Sequence, residues 1–418
     1  MIHPATRIVP PALLAEPGLR AVLDALPEAR LVGGSVRDSL AGLPVADIDL
    51  ATPRRPDAVI EALRAAGLRA LPTGLAHGTV TALAAVPDGP ASFEITTLRR
   101  DIETDGRHAV VDYTEDWRED AARRDFTINA LSMTRDGDIY DYFGGIADLA
   151  AGRVRFVGDP ATRLTEDTLR VLRFFRFHAR YGKGEPDPAA LAAIRGAVPR
   201  LSRLSAERVW SELKRILSAP DPCPSIDLMA RLGVLDAVLP EGADPARLAR
   251  LVARGAPADP LLRLAALLTG DVETLAGRLR LSGEEQRRLH GLRVPAVPTP
   301  PTDDASLRRA LADTPADMLS DRLWLAGDGP EWDELRSRIA AMPRPVFPLE
   351  GRDALALGMA PGPAVGEALR AVRAWWLDNG CIADADACRV ELAKKVRPGL
   401  CPHSSSVGPA GGSGPQTP

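Results

Sequence analysis

The sequence predicts an α/β domain over about the first 150 residues, followed by an all-helical remainder. Strand-type and helix-type patterns alternate up to about residue 150. After about residue 160 the strand patterns stop, while apolar residues at helical spacing continue to about residue 396. Residues 402–418 are almost entirely proline, serine, glycine and a few other small or polar residues, which is typical of a disordered tail.

The individual elements follow from local signals. Runs rich in β-branched and apolar residues predict strands at 29–32, 46–51, 77–83, 92–98, 131–134 and 139–142. Turns are expected at 87–90 and around Asp136-Gly137. Apolar residues at helical spacing predict helices at 36–41, 56–66, 164–181, 188–198, 205–217, 226–232 and 245–254. The proline-rich segment 294–301 is a predicted linker.

The composition excludes several classes of protein. A chain of 418 residues suits two to four domains. No apolar run approaches the ~18 residues of a membrane span, and the amino terminus lacks the pattern of a secretory signal. We therefore expect a cytoplasmic protein with no membrane partner and, since the four cysteines form no CxxC pair, with free thiols. The net charge of −4 means that any argument for nucleic-acid binding depends on local clusters of arginine.

Two aspartates, Asp47 and Asp49, are the first candidate functional residues. Residues two apart in a strand point to the same face, so these carboxylates are expected side by side, with Ile48 facing the core. Two such charges repel one another unless cations bridge them. Two divalent metals would relieve this repulsion, and Mg²⁺ suits carboxylate oxygens. The alternative is a solvated pair of acids near the end of a strand.

A diglycine turn precedes these aspartates. Gly33 and Gly34 end a predicted strand and open a helix, which allows the backbone to approach a phosphate closely. Arg37 lies in the first turn of that helix and can bind the same anion through two hydrogen bonds. The alternative is a tight turn in which Ser35 caps the helix. A Rossmann-type oxidoreductase is excluded because the third glycine and the distal acid are missing.

Gly33 to Asp38 followed by Asp47 to Thr52 resembles the signature of the class II CCA-adding enzymes and bacterial poly(A) polymerases. Three further segments agree in order. Residues 123–131 resemble the ribose-recognition motif of that family, 141–149 its head-to-neck hinge, and 166–177 its nucleotide-templating helix. The resemblance runs from about residue 30 to about residue 240.

The resemblance implies a polymerase-β-like nucleotidyltransferase head at 1–150, a helical neck at 151–222, a body at 223–345 and a tail at 346–401, before the disordered segment 402–418. It implies that Gly34 and Arg37 bind the triphosphate and that Asp47 and Asp49 bind two Mg²⁺ ions. At the ribose it implies Arg124 and Asp125, with Asn129 close by. The residues implied to bind the incoming nucleotide are Asp167, Arg170, Arg173 and Arg176.

Asp167 and Arg170 are three residues apart, so in a continuous helix they share one face. A guanidinium donor beside a carboxylate acceptor complements cytosine and adenine, whereas uracil and guanine present the reversed order of groups and leave polar groups unpaired. The alternative is a simple surface ion pair. From Arg163 to Arg180 the helix carries five arginines against two acids, which suits a triphosphate or an RNA backbone.

The segment 73–81 resembles the CCA-adding version of the family, and 99–116 resembles its flexible loop. We therefore expect transfer of CMP and AMP from CTP and ATP to the tRNA 3′ end, with no obligate protein partner. CC-only addition, poly(A) addition and a catalytically inactive RNA-binding protein on the same scaffold are the alternatives. Glu94, on a predicted strand, is a candidate third carboxylate or general base, with a solvent-facing strand residue as the alternative.

Overall fold

The computed structural model describes residues 3–45, 47–86, 89–104 and 109–396. The chain divides into two compact units, residues 1–290 and 291–418. The division lies within the range 223–345 and close to the proline-rich segment 294–301, which carries neither helix nor strand. The predicted tail at 402–418 lies outside the described residues.

All ten strands of the described residues belong to the first unit. They are β1 Thr6–Arg7, β2 Arg30–Val32, β3 Asp49–Thr52, β4 Arg69–Gly74, β5 Thr79–Val86, β6 Gly89–Thr97, β7 Arg99–Thr104, β8 Ala109–Tyr113, β9 Leu131–Met133 and β10 Asp138–Asp141.

The α-helices of the first unit are α1 Pro17–Ala25, α2 Gly34–Leu40, α3 Pro56–Ala65, α4 Trp117–Ala122, α5 Gly145–Ala150, α6 Pro160–Glu166, α7 Arg170–Tyr181, α8 Pro188–Ala197, α9 Ala206–Leu217, α10 Cys223–Arg231, α11 Val234–Val238, α12 Pro245–Ala253, α13 Pro260–Leu267, α14 Val272–Leu279 and α15 Gly283–Leu292, whose last two residues enter the second unit. The second unit continues with α16 Asp304–Asp313, α17 Ala316–Ala326, α18 Pro330–Ala341, α19 Gly351–Ala356, α20 Pro363–Asp378 and α21 Ala385–Val396.

Eight of the strands form one mixed sheet in the order β1-β10-β9-β2-β3-β6-β5-β4. β3 and β6 run parallel, and their register places Asp49 beside Glu94. The neighbouring pair β2 and β3 is antiparallel. The sheet therefore brings the end of β2, where the diglycine turn begins, next to the start of β3, where the aspartates lie.

One face of this sheet is covered by helices and forms an apolar core. Leu31, Leu50 and Ile95 are fully buried there, packed with Leu19 of α1 and Leu63 of α3. Side chains alternate between the two faces of a strand, so the neighbours of these residues point away from this core. The opposite face is thereby free to present the polar side chains of β3 and β6.

Several predicted elements are confirmed. β5 pairs with β6, and β9 with β10, as antiparallel neighbours. Gly137, in the turn between β9 and β10, has a φ of 84°, a conformation that favours glycine. Residues 87 and 88 of the first predicted turn lie outside the described residues.

Three predicted elements differ from the structure. β3 begins at Asp49 and not at 46, so Asp47 precedes the strand. The segment 99–116, predicted as a flexible loop, contains the antiparallel strands β7 and β8, and 105–108 lie outside the described residues. The predicted helix 164–181 is two helices, because Asp167 adopts an extended conformation with φ −147° and its carboxylate accepts the Leu169 N–H at 3.0 Å.

An aromatic cluster fixes α7 against the first part of the chain. Phe174 and Phe175 are fully buried, and Phe177 is nearly so. The ring centroids of Phe126 and Phe177 lie 5.2 Å apart, and those of Phe126 and Phe156 lie 4.8 Å apart. These rings therefore pack as core, and they hold the polar face of α7 in a fixed position relative to the segment around Phe126.

The second unit is helical and contains two apolar clusters. One is built around Leu311, Leu323 and Ile339, and the other around Val372 and Trp376. The cysteines within the described residues, Cys223, Cys381 and Cys388, are free. Among the helices of all the described residues, none has the length and apolar character needed to cross a membrane.

Candidate active site

A cleft of about 880 Å³ in the first unit brings together every residue predicted to bind metal or nucleotide, with the exception of Glu94. Nine arginines and five aspartates line it, so its wall is positively charged and suited to a polyphosphate. The lining includes Gly34, Arg37, Asp47, Asp49, Arg124, Asp125, Asn129, Asp167, Arg170, Arg173 and Arg176.

The diglycine turn makes room for two guanidinium groups. Gly33 has φ 64° and ψ −121°, a conformation that side chains with a Cβ rarely adopt. A Cβ at Gly33 would lie 3.0 Å from Nη1 of Arg124, and one at Gly34 would lie 3.5 Å from Nη2 of Arg37. The turn therefore presents backbone and two cations to the same space.

The two predicted metal ligands keep the alternation of a strand although Asp47 precedes β3. Asp47 and Asp49 are exposed, whereas Ile48 between them packs against the apolar core. Although the Asp49 side chain is accessible to solvent, desolvation of its carboxylate by the surrounding cleft, followed by the negative charges of Glu94 and Asp47, raises the pKa of Asp49, against the opposing charge of Arg124. The neighbouring carboxylates thus disfavour ionisation of Asp49, as expected for a cation site.

Glu94 lies beside Asp49 in the sheet and is exposed between the buried residues Phe93 and Ile95. Within the described ranges, no group of three or more histidine, cysteine, aspartate or glutamate side chains is arranged to hold a metal. The chain therefore offers Asp47 and Asp49 as a pair of carboxylates. This fits Mg²⁺, which is commonly held by one or two carboxylates together with phosphate oxygens and water.

Arg37 lines the cleft and is buried. Its Nε and Nη2 donate to the two oxygens of Asp38, each at 3.0 Å, and Nη1 donates to Oδ1 of Asn129 at 2.5 Å. The guanidinium also lies over the rings of Tyr181 and Phe177, 4.6 and 5.1 Å from their centroids. The two-pronged face of Arg37 that was predicted to bind an anion is thus occupied by Asp38, and beside these bonds Nη1 and Nη2 each keep one further N–H for a ligand.

The Asp125 side chain is buried, and its carboxylate accepts hydrogen bonds from three residues. Its Oδ1 accepts hydrogen bonds from the N–H of Phe126 and from Nδ2 of Asn129, both at 2.9 Å. Its Oδ2 accepts from Nε of Arg173 at 2.7 Å. Burial would raise the pKa of Asp125, but the Arg173 charge and these hydrogen bonds lower it below its ordinary value. The carboxylate therefore stays ionised and binds α7 to the segment 123–130.

The prediction that Asp167 and Arg170 share one face of a continuous helix is wrong. Asp167 lies in the break between α6 and α7, and its Oδ2 accepts from Nη2 of Arg208 at 2.7 Å. Arg170 donates to the carboxylate of Glu166 and, at 2.9 Å, to the carbonyl of Arg163. Both residues still line the same cleft.

Arg208 is a cleft residue that the sequence alone did not identify. It lies on α9, 41 residues after Asp167, and no local pattern indicates that the two meet. The predicted helix 205–217 placed it on a helix without showing which face turns toward the cleft. Contact between distant helices is decided by packing, which a pattern in one segment does not report.

Arg176 lies in a crowded group of cations. It donates to Oε1 of Glu212 at 3.1 Å. Burial and the neighbouring charges of Arg173 and Arg215 lower the pKa of Arg176 to about 10, against the opposing charge of Glu212. A bound anion would relieve this repulsion, which is the electrostatic condition for binding phosphate.

Comparison with known proteins identifies relatives along most of the chain. Residues 29–155 match the family described as "Poly A polymerase head domain", and residues 185–244 match "Probable RNA and SrmB- binding site of polymerase A". A CCA tRNA nucleotidyltransferase 1, mitochondrial, from Danio rerio is 38% identical over 84% of this chain and 83% of its own length. The Homo sapiens protein of the same name is 35% identical over 86% of this chain and 85% of its own length. A CCA-adding enzyme from Leuconostoc citreum is 40% identical over 49% of each chain.

Solved structures agree with the fold. The Bacillus stearothermophilus CCA-adding enzyme in complex with CTP matches with a TM-score of 0.68 and 25% identity, over 87% of this chain and 94% of its own. The Thermotoga maritima CCA-adding enzyme, solved with tRNA, matches with a TM-score of 0.60 and 21% identity, over 88% and 91%. At that identity the second match supports the fold alone.

Proposed function

The chain belongs to the family of CCA-adding tRNA nucleotidyltransferases, and we propose that it transfers CMP and AMP from CTP and ATP to the 3′ end of tRNA without a nucleic-acid template. Enzymes of this family generally need divalent metals. The observation that carries the proposal is that one cleft contains the pair Asp47 and Asp49, the diglycine turn and a wall of arginines.

We further propose that Asp47 and Asp49 hold two Mg²⁺ ions. When bound, such ions favour ionisation of the attacking hydroxyl and stabilise charge on the leaving pyrophosphate. By fixing where those ions bind, the two carboxylates would determine where the reacting phosphate meets the RNA 3′-hydroxyl. The diglycine turn, with Arg124 and Arg37 against it, would bind the triphosphate and orient it toward those carboxylates.

The base would be selected at Asp167 and Arg170, one accepting from its amino group and the other donating to its ring nitrogen. Asp167 uses Oδ2 for Arg208 and Oδ1 for a backbone N–H, and each oxygen keeps a further lone pair. In the part of the chain that the structure describes, Arg170 donates through Nη1 alone. Both groups can therefore bind a base while keeping the partners that hold them in place.

CC-only addition and poly(A) addition use the same chemistry, and sequencing the 3′ ends of the extended RNA distinguishes them from CCA addition. The inactive RNA-binding alternative is disfavoured because the carboxylates, the diglycine turn and the arginine wall are all present in one cleft. We also propose that the protein acts in the cytoplasm. The relatives include proteins named as mitochondrial.

The direct test incubates the full chain with tRNA that lacks its last three nucleotides, together with labelled CTP, ATP and Mg²⁺. We expect extension by wild-type protein and loss of extension in Asp49→Asn. Asp57→Asn is the matched control, because Asp57 is an exposed acid on α3, on the core-covering side of the sheet. No extension by the wild type would refute the enzyme proposal, and full activity of Asp49→Asn would refute the assignment of the carboxylates.

A further inference from the structure

The hydroxyl of Tyr181 reaches from the end of α7 to the carboxylate of Asp38 on α2 and donates a hydrogen bond to Oδ1. Asp38 in turn binds Arg37 through both oxygens. The aromatic ring of Tyr181 lies under the same guanidinium, 4.6 Å from it. Tyr181 therefore contacts Arg37 directly through its ring and indirectly through Asp38.

The three groups are shielded from water. The side chains of Arg37 and Asp38 are 10% and 14% exposed. Burial raises the pKa of the Tyr181 hydroxyl, which therefore stays protonated at neutral pH and can only donate to a carboxylate. A hydrogen bond to an ionised acceptor in such a place is among the stronger ones in proteins.

The same network continues to the other side of the guanidinium. Nη1 of Arg37 donates to Asn129, whose amide donates to Asp125, which accepts from Arg173 of α7. Arg37 is thus connected to α7 on two sides, through Asp38 to Tyr181 and through Asn129 and Asp125 to Arg173. Its orientation depends on where that helix lies.

We propose that Tyr181 is a positioning residue: through Asp38 it holds the guanidinium of Arg37 in the orientation that receives the triphosphate of the incoming nucleotide. The inference rests on the proposed function, since it presumes that Arg37 binds the triphosphate. A guanidinium held in advance loses less freedom when the ligand binds, so the benefit appears as affinity for the phosphate groups. The base and the ribose do not contact Arg37 in this account and should be bound equally well without the hydroxyl.

Equilibrium binding of CTP and of CMP to Tyr181→Phe tests this directly. The substitution removes only the hydroxyl and keeps the ring over Arg37. We expect CTP to bind about tenfold more weakly, because about 1.4 kcal/mol of the binding free energy would then go into ordering the released guanidinium, while CMP binding changes less than about twofold. Tyr140→Phe is the matched control, because Tyr140 stacks on Arg30 and does not line the cleft, and it should change neither affinity.

A ratio of two affinities measured on one sample does not depend on the fraction of folded protein. Equal weakening of CTP and CMP would show a merely structural role and overturn the inference, as would no change in either. A second arm combines Tyr181→Phe with Arg37→Lys. If Tyr181 acts through Arg37, the tyrosine change should add less than about twofold to the loss in Arg37→Lys, and a full tenfold addition would contradict the inference. If wild-type protein binds no CTP and extends no tRNA, the proposed function itself fails.

Discussion

Substituting Asp125 with asparagine preserves the shape of the side chain and removes the negative charge opposite Arg173. Asp125 is buried, and its two oxygens accept hydrogen bonds from three donors, of which the guanidinium of Arg173 is charged. Breaking a buried ion pair by removing one partner typically costs about 3–5 kcal/mol. The side chain of Arg173 is 32% exposed and regains some hydration, so we expect a loss of about 2–4 kcal/mol in unfolding free energy.

Urea unfolding at pH 7 of wild type, Asp125→Asn, Arg173→Met and the double variant measures this value. In the double variant neither charge is left unpaired, so its loss should be smaller than the sum of the two single losses. An Asp125→Asn protein within about 0.5 kcal/mol of wild type, or strictly additive losses, would refute the reasoning.

The pH dependence gives an independent check on the same residue. The folded-state pKa of Asp125 lies below its ordinary value, so its contribution is fully present above the unfolded pKa of about 3.9. The contribution is lost as the pH falls through the lower, folded pKa. The difference in stability between wild type and Asp125→Asn should therefore be constant near neutral pH and shrink below about pH 4.

Three further predictions concern other parts of the first unit. Gly33→Ala should lower the unfolding free energy by about 1–3 kcal/mol in urea titrations, because alanine is strained at φ 64°. Gly34→Ala is the control: its Cβ would meet only an ordinary contact, so its unfolding free energy should stay within about 1 kcal/mol of wild type. Equal effects of the two substitutions would contradict this. Arg208→Ala should reduce the preference for CTP over UTP about tenfold in competition assays, since Asp167 loses the partner that orients it, and an unchanged ratio would show that Arg208 is not needed. Burial would raise the pKa of Glu285, but hydrogen bonds from a lysine, a backbone N–H and a tryptophan lower it to about 2. The Glu285 carboxylate should thus stabilise the fold at pH values above its unfolded pKa, and this effect should be lost as the pH falls toward 2. Below about pH 4.5 the urea midpoint of Glu285→Gln should therefore fall less steeply with pH than that of wild type. Parallel curves would contradict this.

Local patterns were sufficient for the parts of the site that lie on short stretches of chain. The alternation of Asp47, Ile48 and Asp49 gave the direction of both carboxylates, although the strand itself begins later. The diglycine turn was predictable because few residues other than glycine adopt the backbone conformation of Gly33. Which face of a strand is buried decides where its side chains point. The alternation of apolar and polar residues in the sequence indicates that face.

Features that depend on competition or on distant packing were not predictable from the pattern. The spacing of Asp167 and Arg170 fits a helix, but the Asp167 carboxylate binds a backbone N–H two residues on, and the helix breaks there. Arg208 meets Asp167 because α9 packs beside α7, which begins three residues after Asp167. In the segment 99–116, resemblance to the family indicated a flexible loop, whereas pairing between Arg99–Thr104 and Ala109–Tyr113 makes it a two-stranded ribbon.

The most direct test of the central claim offers wild-type protein a tRNA that lacks its three terminal nucleotides, with all four nucleoside triphosphates at equal concentration and Mg²⁺, and sequences the RNA 3′ ends. A cleft that orients a triphosphate toward Asp47 and Asp49 and selects bases at Asp167 and Arg170 predicts ends that gain CCA and then stop. Ends that gain uridine or guanosine as readily as cytidine, ends that gain a run of adenosines, or unextended RNA would contradict that claim.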